Sequence, residues 1–371
     1  MSYRSYKKKA EEILRKTGVE INGVKPWDIQ VHNENLYRRI LAQGSLGLGE
    51  SYMDGWWDCE RLDQFFYKIL SAGLENMISL SLIADLIRAR ILNLQKKSRA
   101  FQIGERHYDT GNDLYQLMLD RRMNYSCGYW ENASNLDEAQ EAKLDLICRK
   151  IGLKPGQRVL DIGCGWGGFV IYAAEKYDAG AVGITVSREQ VSLAEKLSSG
   201  LNVEIRFQDY RDLNEPFDQV VSVGMIEHVG YKNYRRFMET VHRCLDGNGL
   251  FLLQTIGSNK SDINTDPWIA KYIFPNSMLP SCAQLSRAAE GLFVMEDWHN
   301  FSADYDKTLM AWHGNFERNR QEIKQNYSER FYRMWRYYLL SCAGAFRSRK
   351  VQLWQIVYSK RGVAGGYRYL R

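Results

Sequence analysis

The stretch Arg158-Val159-Leu160-Asp161-Ile162-Gly163-Cys164-Gly165-Trp166-Gly167-Gly168 decides the fold. An apolar strand ends in a glycine-dense turn, and a helix-like segment follows from Phe169 to Tyr177. Glycines at such a turn let backbone N–H groups and a helix N-terminus come close to a ligand. Spacing alone leaves the ligand open, because Gly163, Gly165 and Gly168 also satisfy the dinucleotide pattern G-x-G-x-x-G. Asp161 discriminates. A carboxylate at the strand end suits an amino or sulfonium group. It would repel the pyrophosphate that a dinucleotide lays over this turn. The competing reading is a tight turn with a purely structural role.

Outward from this stretch, strands are expected at 158–162, 181–186, 203–208, 217–223 and 249–255, with a last one at 351–358. Helices are expected at 137–151, 188–198 and 232–244. Strands alternating with helices imply a parallel sheet covered on both faces. Ligands of such sheets sit beyond the carboxyl ends of the strands. Those ends supply Asp161 and the glycines, then Thr185 with Ser187 and Gln190, then Gln208, Asp209 and Tyr210, then Gly224 to Glu227. An NAD site wants an acidic residue after the second strand, and Gly183-Ile184-Thr185 offers none. A neutral group such as Gln190 would then contact the ribose, and Asp209 would accept the adenine amino group. The pattern resembles the S-adenosylmethionine loop of Rossmann-like class I methyltransferases. That resemblance implies an α/β fold with a mostly parallel seven-stranded sheet, closed by an antiparallel hairpin containing the segment at 351–358.

The chain has 371 residues, enough for about two domains. Hydrophobic content of 45% and charged content of 25% are ordinary for a globular protein. Ten Trp and 23 Tyr suit an apolar or cationic ligand, or contact with a bilayer interface. Net charge is +6, with basic clusters at Lys7-Lys8-Lys9, Arg88 with Arg90, Lys96-Lys97 with Arg99, and Arg347, Arg349 and Lys350. Such clusters are either solvated faces or sites of attraction to phosphate on lipid or nucleic acid. The seven Cys are scattered without a C-x-x-C pair, so neither a zinc ribbon nor a disulfide framework is expected, and no metal site. The polar, basic start does not read as a secretory signal. Residues 77–95 read as an amphipathic helix through Leu80, Ile83, Leu86, Ile87 and Ile91, interrupted by Asp85, Arg88 and Arg90 and so unsuited to spanning a membrane. Gly44 to Glu50 reads as a compact turn, and the pair Trp56-Trp57 reads as core. The expected division is a smaller, mainly helical domain at 1–100 and a catalytic domain at 101–371, in a cytoplasmic protein.

Further motifs surround this framework: His107-Tyr108-Asp109 with Gly111-Asn112-Asp113, Tyr125-Ser126-Cys127-Gly128-Tyr129-Trp130, Met225-Ile226-Glu227-His228-Val229-Gly230, Gln254-Thr255-Ile256-Gly257-Ser258, and Met295 to Phe301 followed by Tyr305. With them the chain resembles the cyclopropane-fatty-acyl-phospholipid synthases over nearly its whole length. The resemblance implies transfer of a methylene group from S-adenosylmethionine to the cis double bond of unsaturated acyl chains in phospholipids. It also implies a bound bicarbonate ion as the base. The bicarbonate cage would comprise Cys127, Glu227, Gln254, Ile256 and Tyr305. Cys127 and Ile256 would act mainly through their backbone, Glu227 by orienting the anion and Tyr305 through its hydroxyl. Tyr125 and Ser126 would touch the donor's amino-acid end, and Asp161, Gly163, Gly165, Thr185, Gln190, Gln208, Asp209 and Tyr210 the rest of it. Position 254 is often His in this family. The Gln here can hold an oxyanion but cannot relay a proton. His107 and His228 read as structural.

By the same resemblance the protein would be a homodimer whose N-terminal region docks peripherally on the inner face of an anionic membrane. Three other readings compete. A C-methyltransferase would leave a methyl branch on the lipid in place of a ring. A nucleic-acid methyltransferase would use the basic clusters, but no base-flipping motif of the Asn-Pro-Pro-Tyr type is present, so no nucleic-acid partner is expected. A non-enzymatic lipid binder would have no need of Asp161.

Overall fold

The computed structural model describes residues 3–73, 111–263 and 265–371. The expected helix at 77–95, the basic residues between Arg88 and Arg99, and His107-Tyr108-Asp109 lie outside the described residues. The chain forms two compact units. One comprises Met1–Leu92, Asn264–Pro275 and Tyr305–Val351; the other comprises Asn93–Ile263, Asn276–Asp304 and Gln352–Arg371. Two later segments of the chain thus cluster with the N-terminal region, an interleaving that one cut near residue 100 does not describe.

In the first unit, β1 (Gln30–Val31) pairs antiparallel with β2 (Trp57–Asp58). The helix Glu329–Arg347 packs along Leu62–Ser71 so closely that a Cβ on Gly344 would stand 2.6 Å from Phe66 Cβ. Arg347 ties this face together, pairing with Asp63 at 2.7 Å and Asp306 at 2.8 Å. Of the pair expected to be core, Trp57 is fully buried, whereas Trp56 is only half-buried, with Arg39 over its ring at 4.9 Å. The Gly44–Glu50 segment, however, is helical, as part of Asn35–Met53. The break in that helix is Gly44, whose φ of 59° is left-handed. Gly49 is small because Trp268 presses on it: a Cβ there would meet the indole at 2.3 Å. Local composition reads such glycines as a turn, whereas the distant aromatic that requires them is invisible to it.

The second unit is built on seven strands: β3 (Arg158–Ile162), β4 (Gly180–Thr185), β5 (Val203–Phe207), β6 (Gln219–Val223), β7 (Leu250–Ser258), β8 (Val294–Asn300) and β9 (Val351–Ser359). Their order is β5-β4-β3-β6-β7-β9-β8. The pairs among β3 to β7 are parallel, and β8 pairs antiparallel with β9. This is the Rossmann-like class I methyltransferase arrangement. Helices Leu136–Lys150 and Gly168–Tyr177 contribute to one buried cluster around Val159, Val221 and Leu252, and Tyr234–Cys244 and Cys282–Ala289 to another around Leu160, Val220 and Leu253. Successive side chains of a strand point to opposite faces, so each central strand feeds both layers. The closing antiparallel pair is not a local hairpin, because β8 and β9 flank the helical segment that belongs to the first unit.

Candidate active site

The turn after β3 is held open for a ligand by backbone geometry. Gly163, Gly165 and Gly167 have φ of 91°, 56° and 87°, a region costly for side-chain-bearing residues. The N–H groups of Gly163 and Cys164 both donate to Ile184 O at 3.0 Å, which anchors the turn to β4. A Cβ on Gly163 would stand 2.7 Å from Met225 Cγ. One on Gly165 would meet no atom within 4 Å, so a side chain there projects into open space and does not crowd the turn.

Beside the turn lies an open-mouthed cavity lined by Tyr125, Ser126, Asp161, Gly163, Gly165, Trp166 and Gln190 among others. Tyr115 packs edge-on to Tyr125 at 5.1 Å and tilted against Trp166 at 4.9 Å. Trp166 Nε1 donates to Asn112 Oδ1 at 2.8 Å, which gives part of the Gly111-Asn112-Asp113 motif a positioning role. Asp161 is 3% exposed, and its Oδ1 has no hydrogen-bond partner. Burial pushes its carboxyl up to about 7, against the pull of Lys143. A buried carboxylate oxygen without a partner, facing a cavity with two aromatic walls, fits the cationic amino and sulfonium groups of S-adenosylmethionine.

The other expected donor contacts are not among the cavity's lining residues. Thr185 Oγ1 donates to Gln190 Oε1 at 2.7 Å and so fixes the glutamine. Gln208 stands past the end of β5, its N–H donating to Thr185 O at 3.0 Å. Asp209 Oδ1 accepts from Arg211 N at 2.9 Å, capping the short 3₁₀ turn Tyr210–Asp212. The Tyr210 ring is core, packed edge-on to Phe237 at 5.3 Å.

A second cluster gathers where β6 and β7 end. Val223 is in register with Gln254, and Gly224 N donates to Gln254 O at 2.9 Å. Glu227 sits in the 3₁₀ turn Ile226–His228 and is 5% exposed. Its Oε1 accepts from Ile256 N at 2.7 Å, while Oε2 is buried without a partner. Burial pushes this carboxyl up to about 7. Gln254 Oε1 accepts from Gln355 Nε2 at 2.9 Å, which leaves the Gln254 amide nitrogen as its available donor. His228 is pushed down to about 4 by burial and stays neutral. The structure therefore joins Glu227, Gln254 and Ile256. Cys127 is fully buried, next in the chain to the cavity residue Ser126, with Sγ 3.1 Å from Gly128 O. Tyr305 belongs to the other unit, where it stacks on Phe346 at 4.3 Å.

Two polar residues of these clusters escape the sequence reading. Lys143 lines the donor cavity, and Gln355 orients Gln254. Neither falls in a motif; only their complete burial, 1% and 0% exposed, marks them.

Residues 95–356 match the family model for mycolic acid cyclopropane synthetases. The chain belongs to this family. It is 58% identical to the cyclopropane-fatty-acyl-phospholipid synthase of Escherichia coli strain K12, over 98% of this chain and 95% of that one. Among solved structures, the cyclopropane synthase MmaA2 from Mycobacterium tuberculosis superposes with a TM-score of 0.67 at 30% identity, over 72% of this chain and 100% of its own. The mycolic acid cyclopropane synthase CmaA1, solved with SAH and CTAB, gives 0.66 at 32% identity over 70% and 98%. The protein is an S-adenosylmethionine-dependent methyltransferase of the cyclopropane synthase class.

Proposed function

We propose that the protein converts cis double bonds of unsaturated acyl chains in membrane phospholipids to cyclopropane rings, with bicarbonate as the base. The observation that carries the substrate is the extent of likeness to a phospholipid-modifying relative, which spans the N-terminal region as well as the catalytic sheet. When bound, S-adenosylmethionine supplies the one-carbon unit, and bicarbonate would supply the group that accepts the departing proton. The alkene gains a CH2: one C–S bond is lost, two C–C bonds form, the π bond is consumed and one proton leaves.

The chain's own residues have four tasks in this scheme. Asp161 and the glycine turn hold the donor, with Tyr125 and Ser126 at its amino-acid end. Trp166 and Tyr125 present aromatic faces to a cationic centre. Glu227 orients the anion. With its carboxyl pushed up to about 7 and Oε1 already accepting from Ile256 N, the partnerless Oε2 is the atom left to face it. Gln254, its oxygen occupied by Gln355, offers the anion an N–H donor, and by the family resemblance the Tyr305 hydroxyl would donate its O–H. Cys127 and Ile256 contribute backbone groups. An alkene is a weak nucleophile, so alignment and exclusion of water supply most of the rate.

In the same reading the N-terminal region docks on the inner face of the membrane and pairs two copies of the chain. Supporting it, the opening helix Tyr3–Arg15 carries Lys7, Lys8 and Lys9, while Ile13 and Leu14 face an apolar cavity of that unit. No helix among the described residues is long and apolar enough to cross a membrane.

The test is incubation of the enzyme with methyl-labelled donor and unsaturated phospholipid vesicles, with and without bicarbonate. Acyl chains should gain one CH2 and lose their alkene proton resonances, and turnover should return when bicarbonate is restored to depleted buffer. Retained alkene signals would identify a branch-forming methyltransferase, and indifference to bicarbonate would place the base elsewhere.

A further inference from the structure

One wall of the donor cavity carries a buried cation with no anionic partner beside it. Lys143 stands on the helix Leu136–Lys150 and is 1% exposed. Its Nζ donates to Asn124 Oδ1 at 3.1 Å and to Ser126 Oγ at 3.2 Å. The Asn124 amide has one orientation, because its Nδ2 donates to Asp120 Oδ2 at 2.9 Å and thereby turns Oδ1 toward the lysine. Gly168 preserves that arrangement: a Cβ there would stand 2.7 Å from Asn124 Oδ1. Both acceptors are neutral, so two N–H groups are satisfied while the charge is not. No carboxylate of the described residues forms an ion pair with Lys143; Asp120 and Asp161 act on it from farther away.

Lys143 is not needed merely to hold the loop. Gln140, one helical turn earlier, already fixes Ser126 by donating Nε2 to its carbonyl at 2.7 Å. A neutral amide does that work without the expense of a buried charge. The cation has a counterpart in the same cavity wall. Asp161 is also buried, and its Oδ1 has no hydrogen-bond partner. Burial pushes the lysine down to about 8 and the aspartate up to about 7, as expected for charges lacking close partners. Two opposite, incompletely paired charges on one small cavity describe its ligand: a zwitterion, with an ammonium for the aspartate and a carboxylate for the lysine.

We propose that Lys143 receives the carboxylate of the donor's amino-acid end while Asp161 receives its ammonium, so that the cavity selects S-adenosyl ligands carrying an intact amino acid. The assignment rests on the S-adenosylmethionine dependence of the family and names a residue that its motifs leave out. Truncated relatives of the donor, which share the nucleoside and the sulfur, are then rejected at this end of the site.

Calorimetric titration of the full chain with S-adenosylhomocysteine and with its decarboxylated counterpart tests this without turnover. A charge-assisted hydrogen bond predicts that the wild type binds the carboxylate-bearing ligand roughly 10- to 100-fold more tightly. Lys143→Met, of similar length and uncharged, should lose that preference: affinity for S-adenosylhomocysteine falls by about the same factor, and affinity for the decarboxylated ligand stays within about 3-fold. Equal losses for both ligands would make Lys143 a structural support of the Ser126 loop and overturn the proposal. Because the first comparison uses the wild type, equal binding of both ligands there also overturns it, even if the variant fails to fold. Failure of the wild type to bind S-adenosylhomocysteine at all would instead strike at the donor assignment itself.

Discussion

Replacing Glu227 by Gln should stabilise the protein, and by an amount that grows with pH. The carboxyl is 5% exposed, one oxygen has no partner, and its folded-state value lies near 7 against an ordinary value of 4.5. Between those values the folded state binds the proton and the unfolded chain does not. Unfolding therefore releases a proton, and stability falls as pH rises through the window. The gap of about 2.5 units at 1.36 kcal/mol per unit amounts to about 3 kcal/mol once pH passes 7. The amide copies the shape of the protonated acid: its oxygen still accepts from Ile256 N, and its NH2 takes the place of the partnerless hydroxyl. The variant should thus exceed the wild type by about 3 kcal/mol near pH 8, but by only about 1 kcal/mol near pH 5, where the folded wild type is already neutral. Denaturant melts of both proteins at the two pH values measure the difference directly, and common contributions from other groups cancel. A difference that does not change with pH, or a variant that becomes the weaker protein at pH 8, would refute the claim that this carboxyl is buried without compensation. That result would also remove the physical basis for letting it face an anion.

Three further outcomes are expected. Glu227→Ala removes the acceptor of a 2.7 Å hydrogen bond and the group proposed to orient the anion, so turnover should fall at least about 100-fold while donor affinity by calorimetry changes less than about 3-fold. Gly163→Ala places a methyl 2.7 Å from Met225 at a φ of 91° and should abolish donor binding in a folded protein; undiminished affinity would show that the turn is not the donor loop. Sedimentation with anionic phospholipid vesicles should weaken steadily as salt is raised, and binding that ignores both lipid charge and salt would remove the electrostatic part of membrane docking.

The parts legible in the sequence are those that local chemistry determines. β3 falls where its apolar run and the following glycine require, and Asp161 and Gln190 reach the cavity as their strand-end positions imply. β8 is less legible, because Val294–Asn300 carries Glu296, Asp297 and His299 and, at the edge of the sheet, has only His299 buried. Tyr210 is placed by a distant contact instead. It follows a strand end, where ligand contacts gather, yet its ring turns inward because Phe237 offers an aromatic partner from a helix further along the chain. Lys143 and Gln355 fail for a third reason. On a helix reading Glu138-Ala139-Gln140-Glu141-Ala142-Lys143, a lysine looks like part of the solvated face, and only the return of residues 120–126 across it makes it interior.

Asp161 and Glu227 show how far the same burial can lead in different directions. Both carboxyls are pushed up to about 7, and each keeps one oxygen without a partner. Asp161 has a lysine among the charges acting on it, and it lines a cavity whose ligand brings further positive charge, so filling the site draws it toward its ionised form. No cation is among the causes acting on Glu227, whose only relief is hydrogen bonding from Ile256 and its surroundings. Burial without a cation favours its protonated form, and a protonated carboxyl can hold an anion where a carboxylate would repel it. One desolvated acid is thereby suited to a cationic donor and the other to an anionic base. The division follows from whether a cation is within reach of each carboxyl.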